Sequence, residues 1–89
     1  EIELKGNNQV HVASEAKLVV QLLQKIAVEQ KKDALILGPV PAMVHKIKSV
    51  YSEKLYIKSM SRNEMIQLFS VLPQEQFQSS MYFTIDPVQ

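Results

Sequence analysis

The run Leu-Ile-Leu-Gly-Pro-Val-Pro-Ala at residues 35–42 limits the possible folds of this chain more than any other segment. Its apolar beginning predicts a buried strand, because short runs of large aliphatic residues fit a packed sheet. Proline has no backbone N–H, so Pro39 and Pro41 cannot take part in a central ladder of hydrogen bonds. Gly38 supplies the backbone freedom for a change of direction. We therefore expect a strand at residues 34–37 whose pairing breaks at the Gly-Pro-Val-Pro element, which serves the backbone and contacts no ligand.

Residues 9–31 have the pattern of an amphipathic helix. Apolar side chains recur at steps of four and three, and polar side chains occupy the opposite side. The apolar positions are Val12, Ala16, Val19, Leu23 and Ile26. An asparagine stands just before the helix, where it is a favoured N-cap. The alternative is a hairpin in which Ile2 and Leu4 flank a Gly-Asn-Asn turn with Val10 and Val12, but the stripe that continues through Val12 favours the helix.

One strand pattern precedes this helix, and further extended segments follow the proline element. Residues 1–5 alternate between polar and apolar side chains and predict a short first strand that stops at Gly-Asn-Asn. Residues 43–48 resume extended structure, the chain turns near residues 49–52, and residues 53–60 form the next strand. In that strand Leu55 and Ile57 point to one side of the sheet. The other side receives Lys54, Tyr56 and Lys58.

The last third of the chain predicts a short helix and a closing strand. Ser61 and Glu64 have the spacing of a capping box. Apolar residues follow at helical intervals until Pro73, namely Met65, Leu68, Phe69 and Leu72. In the final strand Met81, Phe83 and Ile85 alternate with Tyr82, Thr84 and Asp86. The predicted fold is α+β with the split βαβ order βαββαβ, in which two helices cover one face of a mostly antiparallel sheet.

Length and composition limit the class of protein. A chain of 89 residues is a single domain, residues 1–89, which buries about 60 to 65% of the surface of its unfolded form. It contains no cysteine, which excludes disulfides, thiolate zinc sites and cysteine nucleophiles and fits a cytoplasmic protein. No apolar segment, signal peptide or lipidation motif directs it to a membrane. The chain begins with glutamate, and we expect it to be a piece cut from a longer protein.

Basic residues cluster in the middle of a chain whose net charge is only +1. The cluster consists of Lys46, Lys48, Lys54, Lys58 and Arg62, relieved by a single acid, Glu53. Lysines with interleaved aromatic side chains can follow a phosphate backbone and stack on unpaired bases. The candidate DNA-binding residues are therefore Lys46, Lys48, Tyr51, Lys54, Tyr56 and Lys58, and Tyr82 stands on the same outward side. The alternatives are a solvated edge strand protected by lysine and tyrosines that pack on a neighbouring domain.

Metal and nucleotide sites lack their usual signatures. His11 and His45 are isolated from any carboxylate or histidine at ligand spacing. The phosphate-binding pattern Gly-x-x-x-x-Gly-Lys-Ser/Thr is also absent. We expect no cofactor and no catalytic residue in this domain.

Four features of the chain together resemble a known family. They are the Gly-Pro-Val-Pro-Ala run, the lysine-rich strand after it, the Ser61-Arg62 step into a helix, and the closing Ile-Asp-Pro at residues 85–87. With these features the chain resembles the C-terminal domain of the bacterial primosomal replication-restart helicase, PriA or primosomal protein N′, over almost its whole length. The resemblance implies a fold similar to ribosomal protein S10. It also implies that the parent protein is an ATP-dependent 3′ to 5′ DNA helicase that recognises stalled forks. Its partners would be branched or single-stranded DNA, other domains of the helicase, and the acidic tail of single-stranded DNA-binding protein, held by Arg62.

One departure from that family lies in the strand pair after the proline element. Members often carry arginine and tryptophan or tyrosine there, whereas this chain carries lysines and tyrosines. Lysine lacks the planar fork that binds phosphate through two hydrogen bonds, so weaker DNA binding is expected. A ribosomal-protein-like or RRM-like RNA-binding module has the same topology but lacks the RRM signature. An acylphosphatase-like enzyme would need an arginine near Gly6-Asn7-Asn8, and there is none.

Overall fold

The computed structural model describes residues 1–42 and 50–85. Within them the chain forms four strands, two α-helices and one short 3-10 turn, in the predicted order βαββαβ. The elements are β1 (Ile2–Gly6), α1 (Gln9–Glu29), β2 (Ala34–Pro41), β3 (Tyr51–Ser59), α2 (Arg62–Ser70), the turn Gln74–Gln76 and β4 (Ser80–Phe83). The strands form one antiparallel sheet with the order β2-β3-β1-β4. The predicted α+β fold class is confirmed.

The hydrophobic core lies between one face of the sheet and the two helices. Ile2, Leu4 and Leu55 of the sheet are fully buried, and they join one cluster with Leu23 of α1 and Leu68 of α2. Because side chains alternate across a strand, the neighbouring residues of β1 and β3 point to the opposite side. We call that opposite side the outer face.

Helix α1 confirms the predicted amphipathic helix and excludes the hairpin. The Asn8 side chain accepts a hydrogen bond from the N–H of His11 at 3.1 Å and caps the first turn. The helix ends at Glu29, two residues before the predicted end, in a Schellman motif. The N–H of Lys32 donates to the carbonyl of Ala27 at 2.8 Å, and Lys31 takes a φ of 54°.

Strand β2 differs from the prediction at two points. It continues through the proline element to Pro41 instead of ending at Leu37, because the register with β3 shifts by one residue and pairing resumes at Val40. Gly38 lies in this bulge with a φ of +107°, a conformation that glycine adopts readily. As the edge strand of the sheet, β2 tolerates residues that lack an N–H.

The prediction that the run at residues 35–37 is buried was wrong for two of its three residues. Ile36 is buried, but Leu35 and Leu37 are 56% and 37% exposed. They point to the outer face, since Leu35 pairs with Lys58 and Leu37 pairs with Tyr56. The apolar run therefore predicted the strand correctly. It did not predict that the outward side chains of this strand are exposed.

Strand β3 begins earlier than predicted. Tyr51 and Ser52 already belong to the strand and pair with Gly6 and Lys5 of β1, so the turn predicted near residues 49–52 does not include them. The extended segment predicted at residues 43–48 lies outside the described residues. The predicted alternation in β3 is confirmed, because Leu55 and Ile57 are buried on the core side.

Helix α2 has half of the predicted capping box. The Ser61 hydroxyl accepts a hydrogen bond from the N–H of Glu64 at 3.3 Å. The reciprocal bond is replaced, because the N–H of Ser61 donates to the hydroxyl of Ser59 at 3.2 Å. Among the residues described, the buried Oε1 of Glu64 has no hydrogen-bond partner. Leu68 and Leu72 are buried as their spacing predicted.

Strand β4 confirms the closing strand but ends at Phe83, before Ile85. Phe83 points into the core and stacks on Phe69 of α2, with ring centroids 4.6 Å apart. Tyr82, its neighbour, points to the outer face because it pairs with Glu3. The terminal Asp86 lies beyond the described residues.

Candidate nucleic-acid interface

The outer face of the sheet carries most of the predicted DNA-binding residues that the structure describes. Direct partners in an antiparallel pair share a face, so the register gives two neighbouring rows. One row contains Val40, Lys54, Glu3 and Tyr82. The adjacent row contains Leu37 and Tyr56. Both helices pack on the other side, so neither covers this face, on which Tyr82 is 52% exposed and Lys54 only 32%.

Lys54 is held by an acid of the same face. Its ammonium lies 3.6 Å from the carboxylate of Glu1, and both side chains are largely shielded, with exposures of 32% and 24%. A cation with a carboxylate at this distance presents less net charge to a phosphate. Glu3 of β1 accepts a hydrogen bond from the hydroxyl of Ser52.

Lys58 is the more accessible cation of β3. It is exposed and pairs across the sheet with Leu35 of the edge strand. In the described part of the chain no carboxylate lies within ion-pair distance of it. Its charge is therefore available to an anionic partner.

The two outward tyrosines differ in their surroundings. Tyr82 is 52% exposed, and the ammonium of Lys5 lies 5.5 Å from its ring centroid in a cation–π contact. Lys5 is also 4.0 Å from Glu3, so this part of the face already holds internal electrostatic pairs. Tyr56 is partly buried on β3. Because β1 lies between their strands and Tyr56 is two residues beyond the row of Tyr82, the two tyrosines are separated by roughly 12 Å.

The remaining predicted residues do not join this surface in the described structure. Tyr51 points toward the core side, where it packs against the buried cluster. Lys46 and Lys48 lie outside the described residues. Arg62 is the first residue of α2 and is exposed, beyond the Ser61 cap.

A cleft of about 520 Å³ opens at the end of the sheet beside the outer face. Leu37, Tyr56 and Lys58 line one side of it, and Phe83 and Ile85 line the other. The cleft forms because β3 continues past Leu55, where its pairing with β1 ends. It therefore gives the outer face a partly apolar recess next to Lys58.

Sequence reasoning missed the contact that fixes the start of β4. The carboxylate of Glu15 on α1 accepts hydrogen bonds from the N–H of Gln78 at 2.7 Å and the N–H of Ser79 at 2.8 Å, and a third from the Ser79 hydroxyl. Burial opposes ionisation, but these hydrogen bonds hold the pKa of Glu15 below its usual value. The partners lie more than 60 positions apart in the chain, so no local pattern could predict the contact. It anchors the strand that presents Tyr82.

Glu53 has the opposite perturbation. Burial raises the pKa of its carboxyl, and the nearby charge of Lys17 opposes the increase. Within the described residues, the buried Oε2 of Glu53 has no hydrogen-bond partner. It pairs with Leu4 across the sheet and so lies on the core side, away from the outer face.

Metal-ligand clusters and membrane-spanning helices are absent from the described residues. None of the groups of histidine, aspartate or glutamate in residues 1–42 and 50–85 could hold a metal ion. Neither helix described is long and apolar enough to cross a membrane. No protein-family model matches the chain, and a search of curated proteins found no relative.

Proposed function

We propose that this chain is a non-catalytic nucleic-acid-binding and partner-docking domain of an ATP-dependent replication-restart helicase. The Gly-Pro-Val-Pro-Ala run, the Ser61-Arg62 step and the order of elements support the proposal by their resemblance to the C-terminal domain of PriA. The observation that carries it is the placement of Tyr56, Tyr82 and Lys58 on the outer face, the side of the sheet away from both helices.

The face suits an unpaired strand better than a duplex. Exposed rings on a sheet can stack on bases that are free of their own partners, and a duplex keeps its bases stacked inside. Lys58 is placed to contact a phosphate, whereas the charge of Lys54 is partly compensated by Glu1. We expect weak binding, in the micromolar range or poorer, with a shallow dependence on salt for the described part of the surface.

Fluorescence anisotropy with labelled oligo(dT) tests the proposal. Lys58→Gln should weaken binding and reduce the slope of log K against log salt by about 1, as loss of a single phosphate contact does. Lys25→Gln is the matched control, because Lys25 is an exposed lysine on α1 that pairs only with Glu29, at 3.9 Å, in the described structure. The proposal fails if oligo(dT) does not bind at low salt or if both variants lose affinity equally.

The same titration separates the proposal from its alternative. A labelled duplex should bind more weakly than oligo(dT), because its bases cannot reach Tyr56 and Tyr82. Oligo(U) tests for a ribosomal-protein-like or RRM-like RNA-binding module, in which 2′-hydroxyl contacts favour RNA. If the chain binds oligo(U) clearly more tightly than oligo(dT), the ligand is RNA and the alternative is favoured.

A further inference from the structure

The edge strand β2 is apolar on both of its sides, unlike β1. β1 has buried Ile2 and Leu4 on the core side and charged side chains outward, which is the pattern of a sheet with one wet face. The outward residues of β2 are instead Leu35, Leu37 and Val40. We call these three residues the β2 patch.

The β2 patch is exposed in the described structure. Leu35, Leu37 and Val40 are 56%, 37% and 46% exposed. A strand that is apolar on both sides is typical of sheets covered on both faces. Contiguous apolar surface of this kind marks sites of protein interaction more often than isolated exposed side chains do. Nucleic acid would leave such aliphatic groups without suitable partners, because it is bound mainly through phosphates and base faces.

The charge beside the β2 patch indicates the chemistry of the missing cover. Lys58 lies directly across the sheet from Leu35 and has no acidic partner among the described residues. The acids of the outer face are already engaged, Glu1 with Lys54 and Glu3 with Lys5 and Ser52. Among the described residues, the uncompensated charge next to the patch is therefore positive.

The prolines disfavour one way of docking. Pro39 and Pro41 lack the N–H groups that a strand added along the second half of β2 would need. A cover that spans the whole patch from Leu35 to Val40 is therefore expected to lie on the face and contact side chains. Leu37 also lines the cleft of about 520 Å³ together with Lys58, so the apolar surface continues from the patch into a recess.

We propose that the β2 patch docks an amphipathic protein segment that carries aliphatic side chains flanked by aspartate or glutamate. The aliphatic side chains cover Leu35, Leu37 and Val40, and the acidic flank lies against Lys58. This proposal and the nucleic-acid proposal share Lys58. The variant Leu35→Ser, Leu37→Ser leaves Lys58 unchanged, so peptide docking on the patch can fail while oligo(dT) binding persists.

Selection from a random peptide library displayed on phage, against the immobilised chain, tests this inference. Enriched peptides should combine aliphatic residues with aspartate or glutamate. Their affinity should fall at least tenfold for the double variant Leu35→Ser, Leu37→Ser, and selection on Lys58→Glu should shift the enriched charge from acidic to basic. The matched control is Leu18→Ser with Val28→Ser, which removes two exposed aliphatic side chains from α1 and should leave affinity unchanged. Thermal melts should show that both double variants are folded.

Several results would overturn the inference. Absence of enrichment, enrichment of peptides without excess acid, or equal binding to the patch variant and the control would each remove the proposed partner. Self-association in sedimentation experiments that is lost in the patch variant would assign the face to a second copy of the chain. Loss of oligo(dT) binding in the patch variant, with peptide binding intact, would assign it to nucleic acid instead.

Discussion

The Glu15 contact gives the sharpest test of how this domain is held together. We expect Glu15→Gln to lower the free energy of unfolding by about 1 to 3 kcal/mol at neutral pH. Three hydrogen bonds reach the carboxylate, and a bond to a charged group contributes about 1.5 to 3 kcal/mol. The full sum does not apply, because Gln78 is exposed and water can replace the carboxylate at its N–H, whereas Ser79 is buried.

Urea denaturation followed by circular dichroism measures this change. With a slope of about 1 kcal/mol per molar urea, typical of small domains, the midpoint should fall by roughly 1 to 3 M. Glu29→Gln is the control, because Glu29 is an exposed glutamate on the same helix whose only ion pair in the described structure is with Lys25. Its midpoint should move by much less, as expected for an exposed i,i+4 pair.

The pH dependence of the free energy of unfolding tests the Glu15 contact independently. The pKa of Glu15 in the folded chain lies below the ordinary glutamate value of 4.5, so the unfolded chain binds more protons as the pH falls past that value. The contribution of Glu15 is complete above pH 4.5 and is lost as pH falls through the lowered folded pKa. The difference between wild type and Glu15→Gln should therefore shrink on acidification.

Glu53 changes stability with pH in the opposite direction, so its contribution must be separated from that of Glu15. Its raised pKa means that the ionised carboxylate costs stability at neutral pH and that acid removes this cost. The pH dependence of wild-type stability contains the contributions of both carboxylates. The comparison therefore uses the difference in free energy of unfolding between each variant and wild type. If the Glu15→Gln difference equals that of Glu29→Gln, or stays constant down to pH 3, the carboxylate does not anchor β4 and the reasoning is wrong.

Three further predictions concern the bulge, the end of α1 and the start of α2. Gly38→Ala should lower stability by about 1 to 3 kcal/mol, because a side chain at φ +107° is strained and its Cβ would lie 3.0 Å from the backbone oxygen of Lys54; an unchanged urea midpoint would contradict this. Lys31→Gly should raise stability by roughly 0.5 to 1 kcal/mol, because glycine adopts the φ of 54° without strain, and a lower melting temperature would argue against it. In the helicase proposed above as the parent of this domain, Arg62→Ala should weaken binding of a labelled acidic-tail peptide about tenfold or more, with Arg62→Lys recovering only part. Wild-type affinity in the alanine variant would remove Arg62 from that site.

Local patterns predicted the elements of this fold where short-range chemistry decides them. The helical stripe through Val12 and Leu23, the asparagine cap and the alternation around Leu55 and Ile57 all appear in the structure. Each depends on residues within a few positions of one another, so the sequence contains the whole signal. The βαββαβ order followed from these elements and the usual rules of connection.

Elements whose ends depend on a distant partner were predicted less well. Strand β2 passes through the proline element because β3 accepts a shifted register at Val40, and Tyr51 joins β3 because Gly6 lies opposite. One bond of the capping box is replaced, because the N–H of Ser61 donates to the hydroxyl of Ser59 instead of to Glu64. In each case a neighbouring group changed the outcome of a correct local preference.

The candidate site divides in the same way. The sequence determined by itself that Lys54, Tyr56 and Lys58 of β3 alternate with buried residues, because the side-chain period of a strand is two. Only the tertiary structure decided that Glu1 compensates Lys54, that Lys5 lies over Tyr82, and that Lys58 stays accessible beside an exposed Leu35. The reason is that charge compensation and exposure depend on which strands become neighbours, and the order β2-β3-β1-β4 brings together residues that are far apart along the chain.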